Sequence, residues 1–160
     1  MSQEKLRQVS PEKLDRGEII AIIGGVLLAV GVFLAWYHTS SSSAFADSNI
    51  DGHTGSLSAW DVHPILRWLL LAAAAAPLIL AWIIVREHQL SWPRGQMTMV
   101  VAIAALGLIV YNGIIDRPGT VGISLRFGFF VAIVGAALML VGSVMRQAET
   151  EIKRKPPGTI

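Results

Sequence analysis

A chain of 160 residues that is 53% apolar and only 15% charged is too greasy for an ordinary soluble domain and suits a single domain. The formal net charge of +2 comes from basic residues that flank apolar runs, so no separate basic patch points to nucleic acid. There is no cysteine, which excludes disulfide frameworks, thiolate metal sites and dithiol redox chemistry.

Residues 1–18 form a polar arm of mixed charge. Within it Ser10-Pro11-Glu12-Lys13 reads as a helix start, with Ser as cap and Pro in the first turn, and suggests a short interfacial helix. Four runs without a charged residue follow, at 19–37, 68–85, 97–115 and 127–145. Each is close to the ~20 residues that a helix needs to cross the hydrocarbon, and none carries the polar stripe of a soluble helix. The expected fold is therefore an all-α membrane protein, a four-transmembrane-helix bundle occupying residues 19–145. Its spans fall at about 19–37, 64–85, 97–115 and 123–145, and short connections make the last three antiparallel neighbours.

The loop at 38–63 contains no Lys or Arg. Its Ser40–Ser43 run reads as flexible. Ala44-Phe45-Ala46 has the small-x-small form of a signal-peptidase site, but the preceding apolar run is longer than a signal's core, so a retained span is expected. Ser91-Trp92-Pro93-Arg94-Gly95 and Asp116-Arg117-Pro118-Gly119-Thr120 are compact turns. Residues 146–160, with Lys153-Arg154-Lys155-Pro156-Pro157-Gly158, read as a disordered tail. Of the thirteen basic residues, Arg67, Arg117 and Arg126 lie on the side of the long loop and the rest on the other. By the positive-inside bias, both termini and the 86–96 turn are cytoplasmic and the long loop is extracytoplasmic.

Gly128, Gly135 and Gly142 recur every seven residues in span 4, as do Gly24 and Gly31 in span 1. Seven residues is nearly two helical turns, so each set lies along one face where backbones can approach, within the chain or between copies. Pro77 should bend span 2 or free a carbonyl. Trp36, Tyr37, Trp60, Trp82, Trp92 and Tyr111 fall near span ends, as an interfacial aromatic belt requires.

Chemistry-bearing residues collect at the outer ends of the spans: Asp51, His53, Asp61, His63, Arg67, Asn112, Asp116, Arg117 and Arg126. Three acids and three arginines there read as a structural ion-pair network in preference to a substrate site. His38, His53 and His63 with Asp51 or Asp61 could be set out as zinc ligands. However, Asp61-x-His63 puts its side chains on different faces of a helix, and there is no HExxH. No metal and no cofactor is therefore expected, and no catalytic residue is assigned. P-loop, dinucleotide and nucleophile-elbow signatures are absent from the sequence.

Several stretches carry a likeness: Arg16-Gly17-Glu18, Phe33-Leu34-Ala35-Trp36-Tyr37, Gly55-Ser56-Leu57-Ser58-Ala59-Trp60, Leu125-Arg126-Phe127-Gly128 and Gly142-Ser143-Val144-Met145-Arg146. In this order they make the chain resemble an uncharacterised family of four-span integral membrane proteins from actinobacteria, which often has proline where Ala35 stands and glycine where Ala59 stands. The resemblance implies the topology and a bacterial plasma membrane, and no activity. The resulting expectation is a non-enzymatic membrane protein, structural, accessory or partner-binding. Its partners would be the lipid bilayer and a membrane-protein partner or a second copy of itself, and not nucleic acid. A small transporter or channel subunit acting as an oligomer is the alternative, and a membrane enzyme using the outer polar ring a further one.

Overall fold

The computed structural model describes residues 14–40, 48–86, 95–119 and 122–154, with the side chains of the last six left aside. The expectations for residues 1–13, the serines and alanines of 41–47, the turn at 91–94 with Trp92, Thr120, and the tail at 155–160 fall outside the described residues. The elements are α1 (Arg16–Phe33), β1 (Ala35–Thr39), β2 (Ser56–Ser58), α2 (Ala59–Val62), α3 (Leu66–Val85), α4 (Gln96–Val110), a π-helical segment (Tyr111–Ile115), β3 (Ile123–Leu125) and α5 (Phe127–Arg154). Four helical stretches are long and apolar enough to cross a membrane: Arg16–Phe33, Leu66–Val85, Gln96–Ile115 and Phe127–Ala148. The chain is thus a multi-pass membrane bundle. Large apolar side chains such as Ile23, Val26, Ile79, Val100, Ile103 and Val134 face outward from all four helices, as lipid contact requires.

The helices are held together chiefly through α1 and α5, which run antiparallel with their backbones nearly touching. A Cβ added at Gly24 would stand 2.5 Å from Gly135 O and 2.6 Å from Met139 N, and one added at Gly17 would stand 2.5 Å from Gly142 O. Gly31 abuts Ala132, and Gly128 abuts the end of α1, with Leu34 C at 2.6 Å. Gly24, Gly31, Gly128, Gly135 and Gly142 therefore all lie in one seam inside the chain. Lipid tails are as apolar as leucine, so helices associate through such close contacts. α3 joins the pair at Gly25, whose missing side chain admits Ala74 O and Pro77 Cγ. Pro77 itself is buried within an uninterrupted helix.

Three boundaries differ from the expected spans, for reasons of packing. Span 1 ends at Phe33 instead of residue 37, because Leu34 turns extended (φ −80°, ψ 157°) and the chain continues as β1. Trp36 folds back so that its Nε1–H donates to Gly31 O at 2.8 Å, satisfying a carbonyl at the end of the helix. Span 4 begins at Phe127, with the preceding residues in β3. At its other end α5 continues to Arg154, so residues 146–154 of the expected disordered tail are helical.

β1 is the centre of a small sheet of order β2-β1-β3, antiparallel on both sides. Among the described residues it is the one sheet added to the helical bundle. It sits where α1 ends and α5 begins, so the sheet continues the seam between those helices. A strand would normally send Trp36 and Tyr37 to opposite faces. The register shifts between Ala35 and Tyr37 against β2, and such a bulge re-aims a side chain. Both residues are fully buried, at 0% exposure. They are core and not interfacial belt, whereas Trp82 and Tyr111 are exposed.

The seam yields a comparison of two glycine substitutions. A Cβ at Gly135 would meet Gly24 O at 2.7 Å and Leu28 Cα at 2.9 Å, all backbone, so α1 and α5 must separate. A Cβ at Gly107 meets nothing within 4 Å. In thermal unfolding of the detergent-solubilised protein, Gly135→Ala should lose about 1–3 kcal/mol through overpacking. Gly107→Ala should gain about 0.5–1 kcal/mol through helix propensity. Equal effects from the two would contradict the close-packed seam.

Candidate functional site

The sheet end of the bundle gathers most of the chemistry-bearing residues, and Tyr37 is its hub. From the middle of β1 its hydroxyl lies 2.9 Å from His63 Nε2, just before α3, and 3.2 Å from Asn112 O in the π-helical segment. A carbonyl can only accept, so the arrangement that uses every donor has Tyr37 donating to Asn112 O and His63 Nε2–H donating to the phenol. The π-helical turn makes this carbonyl accessible. Asp116 N–H reaches five residues back to Tyr111 O at 2.7 Å, and the widened turn leaves Asn112 O free to meet Tyr37. Trp36 packs edge-on against His63 and Phe129, with ring centres 6.0 and 5.5 Å apart. Gly113 leaves the space that Phe129 fills.

Burial pushes the Tyr37 phenol well above its ordinary range, an effect that Arg117 only partly opposes. Burial also lowers His63 below 6.5, opposed by the Asp116 carboxylate. His63 therefore takes up a proton less readily than a free imidazole.

The nine residues of the expected outer cluster do not form one ring. His63, Asn112, Asp116 and Arg117 surround Tyr37. The Asn112 side chain donates to Leu108 O at 2.9 Å within its own helix. Arg117 latches the π-helical segment to β3, donating to Gly113 O at 3.2 Å and Ile123 O at 3.1 Å. Asp61 closes a capping box on α2: its Oδ2 accepts from Ser58 N and Ser58 Oγ at 3.0 and 2.7 Å. These bonds lower its pKa. Arg67 donates to Trp60 O at 3.0 Å and stacks over the Trp60 ring, 4.5 Å from its centre. His53, Asp61 and Arg67 share an open groove of about 400 Å³ with Leu57 and Trp60. Asp51 occupies a tight exposed turn (φ 50°) next to Gly52 (φ 80°), and Arg126 is exposed at the head of α5.

The expected ion-pair network is therefore absent here among the described residues. Arg67 and Arg117 donate to carbonyls, and Arg67 also stacks on indole faces. The described ion pairs lie at the opposite end, where Arg146 on α5 meets both Asp15 and Glu18 at the start of α1, the latter at 3.1 Å. Glu18 and Arg146 are each 5% exposed. A cavity of about 10 Å³ lies beside them against Thr98, Ser143 and Pro77, with space for at most one water. Sequence reasoning counted these charges only as flanks of the spans. The available signal was Gly17, which extends the glycine repeat of α1 by one step and leaves Glu18 facing the residues just beyond Gly142.

Chemically, Tyr37 and His63 are both buried and engaged with each other, while on the exposed side of the sheet His38 Nδ1 lies 3.1 Å from Ser56 Oγ. Among the described residues, no group of three or more His, Asp or Glu is placed to hold a metal ion. The fold and site define a multi-pass membrane bundle with a sheet-capped polar end. Comparison with protein-family models, with curated proteins and with solved structures finds no match.

Removing the Tyr37 hydroxyl leaves a buried carbonyl and a buried imidazole N–H without partners. Tyr37→Phe should thus cost about 1–3 kcal/mol in thermal or denaturant unfolding. The parent should also lose stability in acid. His63 binds a proton more readily unfolded than folded, so its contribution is complete above pH 6.5 and declines as pH falls through its depressed folded value. A His63→Gln variant that kept the same slope between pH 6.5 and 5 would place that dependence elsewhere.

Proposed function

We propose that this chain is a non-enzymatic protein of a bacterial plasma membrane, a structural or accessory component that presents its sheet-capped end to a partner. The termini lie in the cytoplasm and the cap lies outside, following the distribution of basic residues. The observation that supports this reading best is the state of the interior. α1 and α5 touch backbone to backbone, and the buried polar groups of the cap serve one another. Such a bundle is a close-packed scaffold and leaves its remaining polar chemistry on the exposed loops, where recognition usually resides. The likeness to the four-span actinobacterial proteins agrees with this membrane and topology.

Partner binding is tested by affinity purification from native membranes after mild crosslinking. A defined membrane or envelope protein should co-purify in near-stoichiometric amount. Recovery of none, together with solute uptake by purified protein in vesicles, would replace this reading with transport. The absence of cysteine makes orientation directly measurable. Asp51→Cys should react with a membrane-impermeant maleimide in intact cells. Gly158→Cys should react only after permeabilisation, and the reverse pattern would invert the topology.

A further inference from the structure

The groove beside α2 has a composition that neither the bundle nor the cap uses. On one wall, Arg67 offers five N–H donors. Its Nη1 has Trp60 O as acceptor, while its Nε–H is buried with none. No described carboxylate is within ion-pair distance of this guanidinium, since the described pairs all involve Arg146. The Trp60 and Trp68 rings hold it in place at 4.5 and 5.7 Å, themselves edge-on with centres 5.2 Å apart.

On the other wall, Asp61 spends Oδ2 on Ser58 and leaves Oδ1 with no described partner. The groove thus holds a fixed cation and a fixed anion side by side, each with unused capacity. Around them runs an aromatic and apolar shelf. Phe33 lies 5.1 Å from Trp60, and Phe33, Ile65 and Trp68 are 56%, 74% and 58% exposed. Arg67 is the second residue of α3, a helix able to span the membrane. The groove therefore stands where hydrocarbon gives way to headgroups, the level at which Trp and Arg are favoured.

These features select a ligand. A purely anionic group would be drawn to Arg67 but repelled by Asp61, and an apolar one would leave both charges unanswered. A zwitterion with hydrocarbon attached meets all three demands. We propose that the groove binds the headgroup of an ethanolamine phospholipid. The phosphate sits on Arg67, the ammonium donates to Asp61, and the glycerol and upper acyl chains lie on the Phe33, Trp60 and Trp68 shelf. Guanidinium matches phosphate by charge-assisted, paired hydrogen bonds, and the primary ammonium supplies the donors that a trimethylated one lacks. His53 also lines the groove. This site depends on the membrane placement proposed above but not on which face is outside.

The test is lipid binding to the purified full chain in detergent, counted by native mass spectrometry. The probes are phosphatidylethanolamine, phosphatidylglycerol and phosphatidylcholine with identical acyl chains. The ethanolamine lipid should bind about ten-fold more tightly than either of the others. Arg67→Gln should reduce its binding by about ten-fold, while Arg67→Lys retains the preference. Asp61→Asn should keep binding but abolish the preference over phosphatidylglycerol. Equal binding of the three lipids by the parent would overturn the proposal, as would unchanged ethanolamine-lipid binding in a folded Arg67→Gln. So would soluble glycerophosphoethanolamine binding as tightly as the lipid. Failure of membrane placement is read independently, as release of the native protein from membranes by alkaline carbonate.

Discussion

The close approach of α1 and α5 is the constraint on which the rest of the molecule depends. In lipid there is no gain from hiding one apolar helix against another, so cohesion comes from contacts that lipid cannot reproduce. Glycines at seven-residue intervals put backbone against backbone along α1 and along α5 from Gly128 to Gly142. Once that seam is closed, the end of α1 and the beginning of α5 are forced together. β1 and β3, which directly continue these helices, are then already side by side and antiparallel. Phe129 is carried beneath Trp36, and the π-helical segment closes over Phe129 through Gly113. The cap is thus a consequence of the seam as much as of its own hydrogen bonds.

The cap also solves a problem of length. α1 has 18 residues, about 27 Å of helix, slightly short of a typical ~30 Å hydrocarbon thickness. The chain leaves it in extended form, and extended backbone at that depth must find partners. β1 finds them on both edges, in β2 and β3. Trp36 returns a donor to Gly31 O, and Arg126 N–H donates to Trp36 O at 2.7 Å. Tyr37 then ties the strand to the two helices that the seam does not directly control, through His63 before α3 and Asn112 after α4. One aromatic residue in the central strand therefore links all four membrane helices.

The four spans were legible in the sequence because a bilayer admits few charges, and four charge-free runs of the right length leave little choice. The glycine faces were legible for a similar reason, since small residues at a fixed helical interval have a geometric meaning. The span ends were not. Leu34-Ala35-Trp36-Tyr37 is as apolar as the helix before it, and hydropathy does not distinguish a side chain facing lipid from one packed in a core. That is why Trp36 and Tyr37 looked like an interfacial belt. Composition likewise placed Asp61, Arg67, Asp116 and Arg117 at one end but could not pair them. An arginine can donate to a carbonyl or stack on an indole face as well as pair with a carboxylate, and only the tertiary fold decides which is near. Asp15, Glu18 and Arg146 were hidden for the same reason, because a charge at a span boundary has the same appearance in sequence whether it faces water or another helix.

A seven-residue glycine repeat has an inherent ambiguity that the charged residues resolve. Sliding α5 along α1 by seven residues would bring glycine against glycine again, so the seam alone does not specify its register. Each end of the structure breaks that symmetry. At one end, Arg146 must reach Asp15 and Glu18, and a slip would strand a buried guanidinium and a buried carboxylate. Breaking a buried pair costs about 3–5 kcal/mol, although keeping one adds little net stability over an apolar replacement. At the other end, a slip would unmake the pairing of Tyr37 with Leu125 and of His38 with Ser124. The glycines thus let the helices meet, and the buried charges and the sheet determine where.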